Sequence, residues 1–224
     1  MNLIVVPGHA VYIGEEMAHA HLAHKWVGTF PGYRYGDEVP LYVDHIRQGV
    51  ILARHDPDSV LIFSGGETRR QAEHVSEAAS HMRLAEQWDW FGVADYVSHR
   101  AYLETYARDS FENVLCSIDR FHEVTGKYPT AVTVVGFAFK QKRFELHAHT
   151  IIESQDRYGI PKFEFQYCGV NNPPQYLLNG GSAEGEAVTL AQFVENPHGD
   201  KGSLLEKRLN RSTIEPAYRT RVGE

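Results

Sequence analysis

Residues 109–136 read DSFENVLCSIDRFHEVTGKYPTAVTVVG, a helix pattern running into a strand pattern. Asp109-Ser110-Phe111-Glu112 has the spacing of a capping box, in which a small polar residue is followed three positions later by Glu. Phe111, Val114, Leu115, Ile118 and Phe121 then recur at the helical period and make one apolar face. Thr125-Gly126-Lys127-Tyr128-Pro129 ends the helix with Gly and then Pro. Val132 to Val135 follows as a continuous β-branched run, the pattern of a strand covered on both faces.

Moving outward, Leu3 to Val6 and Val60 to Phe63 read the same way, while Phe163-Glu164-Phe165-Gln166-Tyr167 alternates like an edge strand. Helical patterns separate these runs. Val43, Ile46, Val50 and Ala53 share a spacing, with Asp37, Glu38 and Pro40 as start signals. Ala72, Val75, Ala79 and Met82 predict a helix after the second strand, and another is expected from Lys140 to Tyr158, closed by Gly159-Ile160-Pro161. Strands alternating with helices imply right-handed crossovers, hence an α/β fold with a mainly parallel sheet. The 224 residues suit a single domain over 1–224. Residues 180–224 read as a C-terminal capping segment, with Gly180-Gly181-Ser182 at its start, a helix over Glu184 to Glu195 and a break at Asn196-Pro197-His198-Gly199-Asp200.

Composition narrows the function. The chain is 42% hydrophobic and 23% charged, with a net charge of −7. An acidic chain has no excess of Lys and Arg with which to track phosphates along a duplex, so nucleic acid is not an expected partner. The N-terminal apolar run lacks a basic flank and is too short to span a bilayer, which predicts a cytoplasmic protein without a membrane partner. The two cysteines, Cys116 and Cys168, are too few for a disulfide framework and read as small apolar side chains.

In open α/β sheets, ligands bind beyond the carboxyl ends of the strands, where free helix N-termini present N–H groups. Three glycine-bearing turns fall there: Pro7-Gly8-His9-Ala10, Ser64-Gly65-Gly66-Glu67-Thr68-Arg69, and Gly136-Phe137-Ala138-Phe139-Lys140. Ser64-Gly65-Gly66 suits close backbone approach to a ligand or, equally, a tight turn, and it matches neither a Walker loop nor a dinucleotide fingerprint. Glu67 disfavours a bare polyphosphate here unless a cation or Arg69 offsets it, and suits a ribose hydroxyl or an ammonium group better, with Thr68 beside it as a further binding candidate. Asp109 reads as an N-cap, with Ser110 and Asn113 beside it at the same mouth. Lys140 and Arg143 lie one turn apart, as an anion site or a solvated face, and His147 extends that face. His9, Glu77, Glu104 and His147 are the candidate acids and bases. His19, His21 and His24, like His147 and His149, match no metal-ligand spacing, so no metal is expected. A Ser64–His147–Asp109 triad lacks the G-x-S-x-G elbow.

Taken together, Val5-Val6-Pro7-Gly8-His9, Ser64-Gly65-Gly66-Glu67-Thr68-Arg69 with Ser76-Glu77-Ala78, Glu104 with Ala107-Arg108-Asp109-Ser110-Phe111-Glu112-Asn113, and Val134-Val135-Gly136-Phe137 with Phe139-Lys140 and Arg143-Phe144 resemble a domain-of-unknown-function family. That family contains the bacterial YdcF, SanA and ElyC proteins, and the chain is more similar to its fungal branch. The likeness continues into Asn172-Pro173-Pro174 and Lys207-Arg208. It implies a Rossmann-like three-layer sandwich and, by the YdcF branch, binding of S-adenosylmethionine or a similar nucleotide. Bacterial members commonly carry a His in the turn before the basic helix, where this chain has Phe137-Ala138-Phe139. The expectation is a small-molecule-binding protein, an enzyme working with or on an adenosine-type ligand. The alternatives are a non-catalytic metabolite sensor and a metal-dependent hydrolase. Oligomeric state is not legible.

Overall fold

The structure is a computed structural model and describes residues 1–29 and 39–211. Five strands form one sheet: β1 (Asn2–Pro7), β2 (Ser59–Ser64), β3 (Ala101–Glu104), β4 (Ala131–Phe137) and β5 (Glu164–Asn171). Their spatial order is β3-β2-β1-β4-β5, and every pairing is parallel. The chain winds from β1 through β2 to β3, then crosses back over β1 to add β4 and β5. This is a Rossmann-like doubly wound sheet, and its topological switch point lies between β1 and β4.

Six longer helices accompany the sheet: α1 (Val39–His55), α2 (Glu77–Gln87), α3 (Ser110–Thr125), α4 (Gln141–Glu153), α5 (Ala183–Glu195) and α6 (Gly202–Arg211). Alternate strand residues feed two separate cores, because successive side chains point to opposite faces. Ile4, Val6, Leu61, Phe63, Val135 and Phe137 pack under α1 and α2, where Tyr42, Ile46, Val50 and Leu84 are fully buried. Leu3, Val5, Val60, Ile62, Val132 and Val134 pack under α3 and α4 against Phe111, Val114, Ile118 and Phe144. The three-layer sandwich follows from these two faces.

The stretch 109–136 forms as its pattern predicts. All five apolar positions of α3 are buried, Asp109 accepts from the Glu112 N–H at 3.0 Å, and Gly126 ends the helix at φ +70°. The second half of the capping box differs. Glu112 Oε2 accepts from the backbone N–H of Arg108, one residue before the cap, and the carboxylate also holds the Arg108 guanidinium.

Other elements depart from expectation. The helix predicted from Ala72 starts at Glu77, capped by Ser76, because Glu73 and His74 take φ of +48° and +69° and break the pattern. The helix expected from Lys140 to Tyr158 is divided: Ala138–Lys140 is a 3-10 turn, α4 ends at Glu153, and a short turn over Gln155–Tyr158 follows. β3, α6 and the antiparallel pair Val11–Tyr12 with Trp26–Val27 were not expected. The start signals Asp37 and Glu38 lie outside the described residues. No helix among the described residues is long and apolar enough to cross a membrane.

Candidate functional site

At the carboxyl ends of the strands lies a cavity of about 540 Å³, within the range of small-molecule sites. The turns after β1 and β4 meet in it. Lys140 Nζ donates to His9 Nδ1 across 3.4 Å, so the two turns that flank the switch point touch through a cation and an imidazole. His9 Nε2 is buried and has no hydrogen-bond partner among the described residues. Burial above all, and then the charge of Lys140, holds His9 well below the ordinary imidazole range, so it is neutral at pH 7. Burial, with the charge of Arg143 second, pushes Lys140 down to about 7.

Of the residues the sequence singles out, Gly8, His9, Thr68, Glu77, Asp109, Ser110, Asn113, Lys140 and Arg143 line this cavity. Ser64, Gly65, Gly66, Glu67, Glu104 and His147 do not line it, and each has another use. The Ser64 hydroxyl donates to Glu104 at 2.5 Å and sits 2.8 Å from Asn113 Oδ1, tying β2 to β3 and α3. Glu104 also accepts the backbone N–H groups of Tyr106 and Ala107, which shapes the turn leading into α3. Glu67 faces the exposed His74 at 3.1 Å.

What approaches Gly65 and Gly66 closely is protein. A Cβ on Gly65, whose φ is +145°, would stand 2.9 Å from Glu77 Cβ, and one on Gly66 would stand 3.0 Å from the carbonyl oxygens of Thr105 and Ala107. The Gly66 N–H donates to that Ala107 carbonyl at 2.7 Å. These glycines let two turns stack, and so set the cavity floor from below. Gly8 does the same from β1, since its Cβ would meet Glu77 Cβ at 2.3 Å.

His147 is fully buried behind the wall. Its Nε2 lies 2.8 Å from Ser110 Oγ, to which Arg143 Nη1 also donates. Arg143 in turn holds Glu186 of α5 with two hydrogen bonds of 2.7 Å. Asp109 is likewise engaged by the tail, through Arg208 of α6 at 2.5 Å.

Residues from the described part of the C-terminal segment, 180–211, form one side of the cavity and include side chains that local pattern did not single out for the site. Glu186, Lys207 and Arg211 line the cavity with Arg69. Burial lowers both Lys207 and Arg211, and the neighbouring Arg211 and Arg143 guanidiniums lower Lys207 further. Lys207 and Arg211 have no ion pair among the described residues, whereas the carboxylates of Glu77, Glu186 and Asp109 each face an arginine. The lining is thus cationic on balance although the chain is acidic. No group of three His, Cys, Asp or Glu side chains among the described residues is placed to hold a metal ion.

Fold and cavity together define a doubly wound α/β protein with a cationic crevice at its switch point. The uncharacterised protein YOR238W of Saccharomyces cerevisiae (strain ATCC 204508 / S288c) is 27% identical in an alignment that covers 78% of this chain and 68% of that protein. No protein-family model and no solved structure matches the chain.

Proposed function

We propose that the chain is a cytoplasmic enzyme that holds an anionic, nucleotide-sized ligand in this cavity and uses Lys140 and His9 to move protons. The observation that carries the reading is the 3.4 Å contact between those two side chains at the switch point, inside a cavity whose remaining charge is positive. A lysine near pH 7 exchanges its proton readily at neutral pH, where a general acid or base is most effective. His9 keeps one buried nitrogen for a reacting group, and Glu77, which accepts from Thr68, offers a carboxylate on the same wall.

The family likeness supports an adenosine-type ligand such as S-adenosylmethionine. Within that class the lining favours a phosphorylated adenosine, because a sulfonium adds a positive charge to a crevice that already holds Lys140, Lys207 and Arg211 beside the Arg69–Glu77 pair. Thermal shift against adenosine mono-, di- and triphosphate and S-adenosylmethionine tests this. The expected result is a rise in Tm with at least one phosphorylated adenosine, exceeding that with S-adenosylmethionine. No rise with any of them counts against the reading. Turnover of the bound ligand then separates an enzyme from a sensor built on the same cavity.

A further inference from the structure

Arg143 is only 8% exposed, and the edge of its guanidinium that carries Nε and Nη2 is filled by the Glu186 carboxylate. That two-point contact is the geometry in which arginine recognises carboxylate or phosphate. Both partners line the cavity, so the pair occupies ligand space.

Ser110 completes the donor set. Its Oγ accepts from Arg143 Nη1 and sits 2.8 Å from His147 Nε2, while His147 Nδ1 is buried with no partner among the described residues. With the His147 proton on Nε2, only a lone pair is left unmatched at Nδ1. The other tautomer would strand a buried N–H, which costs more. In the favoured tautomer both Ser110 lone pairs are taken, and its own proton is left for an acceptor in the cavity. His147 is in this respect a positioning residue.

The segment that brings Glu186 is weakly anchored. From Leu178 to Gln192 no residue is buried, and the first firm anchor of α5 is Phe193. Gly180, Gly181 and Gly185 have no neighbour within 4 Å of where a Cβ would stand, so packing does not require them, and Gly181 takes φ +114° where the chain turns into α5. Among the described residues, the Arg143–Glu186 pair is the strongest polar tie of this stretch to the body of the domain.

We propose that Arg143 and Ser110 form the oxyanion subsite of the cavity, selecting a ligand with a terminal carboxylate or phosphate, and that Glu186 fills it as an internal surrogate until such a ligand displaces it. This rests on the reading of the cavity as an anion site and adds which atoms hold the acid group and what competes for them.

Pyrophosphate and malonate are the probes, titrated calorimetrically into the full chain as wild type, Glu186→Gln and Arg143→Met/Glu186→Gln. Removing the competing charge should tighten at least one probe by about tenfold in Glu186→Gln, and the double variant should lose that gain. The probe that gains tells phosphate from carboxylate. Equal affinity in wild type and Glu186→Gln overturns the proposal while leaving the cavity reading intact, and failure of both probes to bind either protein overturns it too. Should Glu186→Gln fold poorly, hydrogen exchange on wild type decides. Saturating pyrophosphate should speed exchange over residues 180–190 by severalfold as Glu186 is released, and unchanged or slower exchange there contradicts the displacement.

Discussion

Arg208 of α6 reaches across the domain to Asp109, the N-cap of α3, with its Nε 2.5 Å from Oδ2. Asp109 Oδ1 caps the helix at 3.0 Å, so a single buried carboxylate both starts α3 and anchors the last described helix. The Arg208 guanidinium holds Asp109 below the usual carboxylate range against the opposing effect of burial.

Asp109→Ala is therefore expected to cost more than a lost cap. Capping alone contributes about 0.5–2 kcal/mol, and Arg208 also loses its nearest carboxylate and keeps only the longer 3.6 Å contact to Glu112, which raises the loss to roughly 2–4 kcal/mol. Asp109→Asn, which keeps a capping oxygen, should fall between wild type and Asp109→Ala in urea denaturation. A loss under about 1 kcal/mol for Asp109→Ala would show that Glu112 takes over Arg208 fully and contradict the anchoring role of Asp109.

Gly66 and Gly185 should respond to alanine in opposite directions. Gly66→Ala pushes a methyl against two carbonyl oxygens 3.0 Å away, a strain of about 1–3 kcal/mol. Gly185→Ala, inside α5 with open space around it, should stabilise by about 0.5–1 kcal/mol. Thermal melts of the two variants moving the same way would contradict this account of what the glycines are for.

Acid should unfold the protein through its histidines. His9, His45, His81 and His147 are each lowered by burial, His45 to about 3 and His81 to about 4. Below pH 6.5 the unfolded chain takes up these protons while the folded chain refuses them, so stability falls as pH drops, by up to about 1.4 kcal/mol per pH unit for each histidine. The folded state stays neutral at His45 until about pH 3, so the loss continues down to there. Lys140 acts in the same direction at higher pH: its folded value of about 7 lies below the unfolded one, so stability rises with pH from about 7 to 10. Urea denaturation at pH 5.0, 6.0, 7.5 and 9.0 checks the slope. A flat profile between 5.0 and 6.0 would mean that these rings are protonated in the fold.

The sheet was legible where local pattern and burial coincide. β1, β2 and β4 are continuous apolar runs, and all five predicted apolar positions of α3 are buried. β3 escaped because Ala-Tyr-Leu-Glu is only four residues long and lies at the edge. The apolar spacing of Ala72 and Val75 mimicked a helix that two left-handed residues interrupt. For the site, residues just after β1 and β4 were predictable from the rule for open sheets, and they line the cavity. Glu104 and Ser64 had the right chemistry in the right turns, but their partners lie in other elements, so sequence did not reveal that they brace each other. Glu186 and Arg211 reach the cavity from the tail by long-range packing that no local period encodes, and of α6 only Lys207 and Arg208 were flagged, through the family likeness.

On the proposed function, Lys140, beside His9, meets the anionic part of a nucleotide-sized ligand. Calorimetric titration of the phosphorylated adenosine that gives the largest thermal shift, into wild type and Lys140→Met at pH 6.0 and 8.0, tests it most directly. Wild type should bind more tightly at pH 6.0 than at 8.0, because Lys140 with its value of about 7 is mostly charged at the first and mostly neutral at the second. Lys140→Met should bind about tenfold or more weakly at pH 6.0, the loss of one charge-assisted contact, and should show a flatter pH dependence. Equal affinities for the two proteins, with the same response to pH, would contradict the account and move the anion away from Lys140.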